Sequence, residues 1–290
     1  MNAVMGLGVG LLLVASAVGV VLIRTAERWR APAAVARIGQ RWSVVARTGV
    51  EQVGRVSTAA VVLFAGVGLT IAVLWAVGWP IKLTEKHFDV PVFEWFQAQH
   101  ETAAAWWSRS WRLLTNIGGL SQTQFLTVAG ALVLAVCWRA RRWWVPVLVL
   151  PVAYVLEKTL QDLLKLVVDR GHPPTTLGSF PSGGCARVVL IYGLIVFLVL
   201  RWRSPGRRWW AAGWSFVGLC AVIQAYARTF NLEHWITDVF AGLLFGGLLL
   251  ATMVGVVHVL DRDVPGGAGR ITGERASRDD ERRVSAPVAR

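Results

Sequence analysis

Charge is what this 290-residue chain has least of: Asp, Glu, Lys and Arg together make up 16% of it. A soluble domain carries roughly 25%. Apolar types reach 55% and mean hydropathy is +0.52. Those values exclude a water-soluble globule and a solvated disordered chain. Cysteine is scarce too. Cys137, Cys185 and Cys220 lie inside apolar runs, so they read as small apolar fillers and not as a disulfide framework or a zinc site. There is no Walker-type glycine loop, no His/Asp/Glu grouping at metal-ligand spacing, no internal repeat and no heptad pattern.

What the chain does have is long apolar runs, sixteen tryptophans and a formal charge of +13. A spanning helix needs about 20 mostly apolar residues. Seven runs meet that length, near Val4–Ile23, Val56–Ile81, Ser121–Trp138, Trp143–Asp169, Gly183–Leu200, Trp209–Arg228 and Trp235–Leu260. Tryptophans flank most of them, among them Trp75, Trp79, Trp138, Trp143, Trp144, Trp202, Trp209, Trp210 and Trp235. That is the pattern of an interfacial aromatic belt. The first run has no basic residues before it and arginines after it, so it reads as a retained anchor and not as a secretory signal.

Arginines fill the connections after the first, third and fifth runs (Arg24 to Arg55, Arg139 to Arg142, Arg201 to Arg208). Basic short loops mark the cytoplasmic side. The cationic excess therefore fits anionic lipid headgroups as a partner, with no nucleic acid. The Gly-, Arg- and Asp-rich tail after Leu260 falls on the same side and reads as disordered. Residues 24–55 form a basic linker with apolar positions at helical spacing (Val35, Ile38, Trp42, Val45); a helix along the leaflet and a solvated linker are both open. The opposite face receives Lys82–Leu120, read as short amphipathic helices on the outer surface, and the connections Arg170–Ser182 and Thr229–His234.

The last two connections carry the unusual polar residues. Ionisable groups at membrane depth are costly and are functional candidates by default. Lys165, Asp169, Arg170 and His172 converge where the fourth run stops at Pro173 and Pro174. Ser179-Phe-Pro-Ser182-Gly183-Gly184 is a tight turn into a helix start, with Ser182 as N-cap and backbone N–H groups suited to an anion. Arg228 precedes His234 by six residues, and Asp238 follows His234 by four. Residues four apart share a helix face, so Asp238 can accept the Nδ1 proton and leave Nε2 as a nucleophile for phosphorus. Each cluster alone has a plain structural reading: interfacial snorkelling, a capped helix, a helix-start ion pair. Together they offer cations, a helix-end nest and an oriented imidazole, which is what phosphoryl transfer needs.

In these residues the chain resembles the type 2 phosphatidic acid phosphatase superfamily, which includes bacterial undecaprenyl-diphosphate phosphatases. The resemblance covers about residues 121–260. The family's motifs are Lys, six residues, Arg-Pro; Pro-Ser-Gly-His; and Ser-Arg, five residues, His, three residues, Asp. Lys165 matches the first lysine, but His172-Pro173 stands where the family has Arg-Pro. Pro181, Ser182 and Gly183 match the second motif, and Gly184 replaces its histidine. Ala227 replaces the third-motif serine, while Arg228, His234 and Asp238 match.

The resemblance implies an all-α, polytopic membrane bundle with a six-helix phosphatase-like core and one extra N-terminal span. The expected organisation is an anchor and basic linker over 1–55, a membrane domain over 56–260 and a tail over 261–290. It implies His234 as nucleophile, Asp238 as its orienter, and Lys165, Arg228, Ser182 and Gly183 around the phosphate of a lipid phosphate or diphosphate; the polar clusters themselves add Arg170 and Gly184 as candidate substrate contacts. No metal or cofactor is implied, and the oligomeric state is open.

The general acid is missing at Gly184, which favours a diphosphate, whose leaving group is already a weak base. His172 is a candidate to supply the missing imidazole. An impaired family member that binds or transports lipid phosphates, and a phosphotransferase or prenyl-diphosphate-processing variant, are the alternatives.

Overall fold

The computed structural model of the chain describes residues 3–26, 33–139, 142–175 and 180–261. The tail from 262 onward and Ser179 lie outside the described residues. Among the described residues there are helices and no strands. They are α1 (Ala3–Thr25), α2 (Ala33–Val53), α3 (Arg55–Thr84), α4 (Val90–Glu101), α5 (Ala105–Leu114), α6 (Leu120–Cys137), α7 (Trp144–Val168), α8 (Gly183–Arg187), α9 (Gly193–Arg203), α10 (Arg207–Phe230) and α11 (Ile236–Leu260). A π-helical turn, Glu85–Asp89, joins α3 to α4, and another, Val188–Tyr192, joins α8 to α9.

Among the described residues six helical stretches are long and apolar enough to cross a membrane: α1, the continuous rod Arg55–Glu101, α6, the rod Gly183–Arg203, α10 and α11. The chain is a multi-pass membrane protein. The seven expected spans become six by this measure. The fourth exists as the 25-residue α7, but Glu157, Lys158, Asp162 and Lys165 lower the apolarity of its second half. The second span also outruns its expected end at Ile81. No helix breaker follows Pro80 until Pro91, and Pro91 sits in the first turn of α4, where a missing N–H removes no intrahelical bond.

The α8–α9 rod is central: 72% of its most apolar stretch is buried, against 11% for α1. Two glycines of α11 let it lie directly on the backbone of α8. A Cβ on Gly242 would stand 2.3 Å from the Ser182 carbonyl oxygen, and one on Gly246 would stand 2.5 Å from that of Ala186. Small residues four apart permit such close helix contact in a bilayer. The approach is sealed by the Ser182 N–H, which donates to the Asp238 carbonyl at 3.0 Å. It seats the second motif beside the third.

At the same end an aromatic cluster joins the start of α1, α4, α5 and the end of α10: Val4, Phe96, Trp107, Trp111, Tyr226 and Phe230 are buried together. The Tyr226 hydroxyl donates to the Val4 carbonyl at 2.6 Å. Thus α5 packs into protein as well as facing outward; Trp107 and Trp111 are buried while Trp106 is exposed. The aromatic belt needs the same correction. Trp75, Trp79, Trp143 and Trp209 are exposed, but Trp138 and Trp235 are core residues.

The basic linker is helical as α2. Gly54, at φ 84°, reverses the chain so that Ala46 and Gly49 of α2 meet α3. Only glycine holds that φ without strain.

Candidate functional site

The third motif spans a helix–turn–helix. α10 ends at Phe230, Leu232 takes a positive φ of 60°, and α11 begins at Ile236. The Glu233 N–H donates to the Arg228 carbonyl at 3.1 Å, and this folds His234 back under the turn. His234 is buried, and Asp238, in the first turn of α11, is wholly buried. Burial holds the His234 imidazole below its ordinary range, partly opposed by Asp238, because the low-dielectric surroundings disfavour the cation.

The expected Nδ1–carboxylate hydrogen bond is not made. His234 Nδ1 and Asp238 Oδ2 stand 3.9 Å apart, beyond hydrogen-bond range. Asp238 instead accepts from Arg170, Nη1 to Oδ1, at 2.6 Å. A guanidinium is charged at every working pH and so outcompetes a neutral imidazole for a buried carboxylate.

Arg170, expected among the phosphate ligands, is engaged with protein carboxylates. Its side chain is fully enclosed and faces three carboxylates. Nε donates to Glu85 at 3.0 Å, Nη2 to Asp89, and Nη1 to both Asp238 and the Thr237 hydroxyl. Glu85 and Asp89 come from the π turn between α3 and α4, far from any motif in sequence.

The second motif forms the start of α8. Ser182 is the N-cap residue, but its side chain caps nothing; its Oγ is buried without a hydrogen-bond partner, the nearby Cys185 thiol lying outside hydrogen-bond geometry. Gln161 of α7 lies over Gly183, where a Cβ would come within 2.3 Å of it, and its amide donates to the Pro181 carbonyl at 3.2 Å. Arg228 lies over Gly184. A Cβ there would be 2.7 Å from both Nε and Nη2 of the guanidinium. The space that a histidine would enter is taken by a cation. Arg228 also pairs through Nη1 with Glu233.

The first motif splits. Lys165 is half-buried in the last turn of α7, on the same face as buried Glu157 and Gln161, at i, i+4 and i+8. Asp169 ends α7 in the left-handed conformation, φ 44°. Lys82 of α3 caps this end, donating to the carbonyls of Val168 and Asp169 at 3.3 and 2.6 Å, where a cation also complements the helix dipole. His172 is exposed, and its Nδ1 lies 2.8 Å from the Pro173 carbonyl oxygen. No hydrogen bond links it to His234. The loop that holds it is tied to the third motif by the Trp235 indole, which donates to the Gly171 carbonyl at 3.1 Å.

Four buried side-chain polar atoms without a hydrogen-bond partner fall on the second and third motifs: Ser182 Oγ, Arg228 Nε, His234 Nδ1 and Asp238 Oδ2. Buried polar atoms are nearly always paired. Two of the four, on Ser182 and Arg228, are donors of the kind that suit an oxyanion. Two apolar grooves, of about 440 and 690 Å³, lie elsewhere, one beside Leu22, Arg207 and Trp214, the other beside Trp42, Leu69 and His258. Neither contains a motif residue.

Residue patterns missed Glu85, Asp89, Thr237, Gln161, Glu233 and the Glu157–Arg187 pair. The one available signal was an acidic residue recurring four positions on (Glu85, Asp89) just past an apolar run.

Residues 146–262 match the family model described as the PAP2 superfamily. The fold is similar to the crystal structure of the first transmembrane PAP2 type phosphatidylglycerolphosphate phosphatase from Bacillus subtilis. That similarity has a TM-score of 0.54 at 20% identity and covers 69% of this chain and 98% of that one. No curated protein matches the chain in sequence. The matched segment, residues 146–262, holds all three stretches in which the chain resembles the type 2 phosphatidic acid phosphatase superfamily.

Proposed function

We propose that this multi-pass PAP2-type protein is a lipid phosphatase that prefers a prenyl or other lipid diphosphate and works through a phosphohistidine on His234. The observation that carries the reading is the set of unpartnered buried atoms on Ser182, Arg228, His234 and Asp238. Donors from Ser182 and Arg228, with Lys165 nearby on α7, would hold the terminal phosphate. The His234 imidazole attacks its phosphorus and the bond to the bridging oxygen breaks. The electron pair leaves with the lipid monophosphate. Water then attacks the phosphohistidine, releasing inorganic phosphate and restoring the imidazole.

With Gly184 in place of a histidine, no imidazole stands at the usual general-acid position. Positioned acid catalysis is worth about 10²–10⁴-fold for a poor leaving group. A phosphate leaving group needs it less, hence the diphosphate preference. The arginine-rich loops at the far end of the helices support an extracytoplasmic site, with the lipid tail remaining in the bilayer. The reading requires no metal or cofactor.

The test is phosphate release by purified protein from prenyl diphosphate, the matched monophosphate and phosphatidylglycerolphosphate, with and without chelator. Faster release from the diphosphate that survives chelator is expected. Loss with chelator overturns the metal-free route. Tight binding without release favours the impaired, lipid-binding alternative, which the replacement at Gly184 supports.

The acid limb of the pH profile gives a second expectation. Only the neutral imidazole attacks. Since burial lowers its pKa, kcat/KM should rise with pH through a midpoint below about 6.5 and stay level at neutrality. A midpoint above that value would count against His234 as the nucleophile.

A third expectation concerns Gly184→Ala. The new methyl meets the side-chain ends of Arg228 and Gln224 and not backbone. The protein should fold normally while KM rises about 10-fold, from one lost charge-assisted contact. An unchanged KM would remove Arg228 from the substrate site.

A further inference from the structure

We infer that Asp89, on the π turn between α3 and α4, is a positioning residue for the reaction, acting through Arg170 and the first turn of α11 on Asp238; the inference rests on the phosphatase reading. Asp89 lies outside residues 146–262, the segment that carries the family match. It is wholly buried, as is Asp238.

Its carboxylate holds two things at once. One oxygen accepts from Arg170 Nη2, and Arg170 holds Asp238 through Nη1. The other accepts the Thr237 backbone N–H at 3.1 Å, and the Thr237 hydroxyl bridges both oxygens at 2.9 and 2.8 Å. Thr237 precedes Asp238 and follows His234 by three residues. Asp89 thus fixes the peptide before Asp238 and the guanidinium that grips its side chain.

The local structure explains why a distant segment does this. α11 opens after Trp235, which offers no capping side chain, so a carboxylate from α3–α4 occupies the positive end of its dipole. Glu85 and Asp89 are four apart in a widened π turn, so both reach the same guanidinium. Such turns recur at functional sites. Four hydrogen bonds on Arg170 keep it from swinging to the substrate. Asp238 Oδ2 is left unpartnered, 3.9 Å from His234 Nδ1. A shift of about 1 Å would close that contact to hydrogen-bond length, so the placement of the Asp89–Arg170 frame decides whether the imidazole is oriented.

The test compares full-length wild type with Asp89→Asn and Asp89→Glu. Asp89→Asn should lower kcat about 10–100-fold, as misplacement near 1 Å does, with KM within about twofold. Asp89→Glu should recover part of the loss. A readout independent of turnover is the NMR titration of His234, which faces Asp238, Arg228 and Glu233. Losing the Asp89 charge and leaving Arg170 to lean on Asp238 both disfavour the imidazolium, so the midpoint should move to lower pH.

Should Asp89→Asn fail to fold, Thr237→Val replaces it, with a smaller kcat loss of the same kind. An unchanged kcat, or a fall in kcat matched by a rise in KM with no change in the titration, overturns the inference. If the wild type releases no phosphate, the phosphatase reading fails and the titration alone decides: a shift supports the positioning role, no shift overturns it.

Discussion

His234→Ala should lower phosphate release by about 10⁴-fold or more, the scale on which losing a covalent nucleophile acts. No other described imidazole is buried at the site. His172 is exposed beside the Pro173 carbonyl, and His100 is engaged with the Phe230 carbonyl at 3.1 Å. Folding should survive, because the His234 Nδ1 makes no hydrogen bond that alanine would break. A trapped phosphoenzyme is expected in the wild type after rapid acid-free quenching and should be absent from the variant. His172→Ala should leave turnover within about threefold if leaving-group protonation is unimportant for a diphosphate. Residual activity in His234→Ala above a hundredth of wild type would assign the nucleophile elsewhere.

Glu157→Leu should be the most damaging change to stability. Arg187 lies in the central rod, and both of its contacts to Glu157 are at 3.3 Å, with Glu157 wholly enclosed. Its Nε donates to the Gly118 carbonyl at 3.1 Å. Removing the carboxylate leaves a buried guanidinium with one neutral partner. Breaking such a pair costs about 3–5 kcal/mol. Replacing both members by apolar residues of similar size, Glu157→Leu with Arg187→Met, should return most of that loss, since the desolvation penalty disappears with the charges. The measurement is the thermal unfolding midpoint in detergent for the two single variants and the double. If Glu157→Leu costs less than about 1 kcal/mol, Arg187 is hydrated and the pair does not hold α7 to α8.

Much of the architecture was legible from apolar run length alone, because a bilayer leaves backbone groups no partner outside helices. Boundaries were less legible. The rod from Arg55 to Glu101 shows why: polarity rises after Ile81, yet nothing there breaks a helix, so it continues past the apolar run. Trp235 shows the same limit for side chains. An aromatic at the edge of a run reads as interfacial, but its indole is drawn inward by the Gly171 carbonyl.

Spacing brought out the motif residues because helix period and turn length are local. It found Ser182, Gly183, Gly184, Arg228, His234 and Asp238, and the structure gathers them at one end of the helices. It could not tell which cation is held by carboxylates from a distant segment. Arg170 and Arg228 are equivalent as symbols in a sequence. Their environments differ because Glu85 and Asp89 arrive from a segment some eighty residues away and claim one of them.

The sequence by itself determined a helical membrane protein, the end of the helices where polar residues gather, and the order of Arg228, His234 and Asp238 across the turn between two adjoining helices. Those follow from hydropathy and helical period, which act over one to a few turns. Only the tertiary structure decided that Arg170 is a strut, that Arg228 fills the place above Gly184, and that Asp238 answers to Arg170 before His234. Buried charges choose partners by proximity in three dimensions and by the cost of leaving any one unpaired, and neither quantity is written in the spacing of a single chain segment.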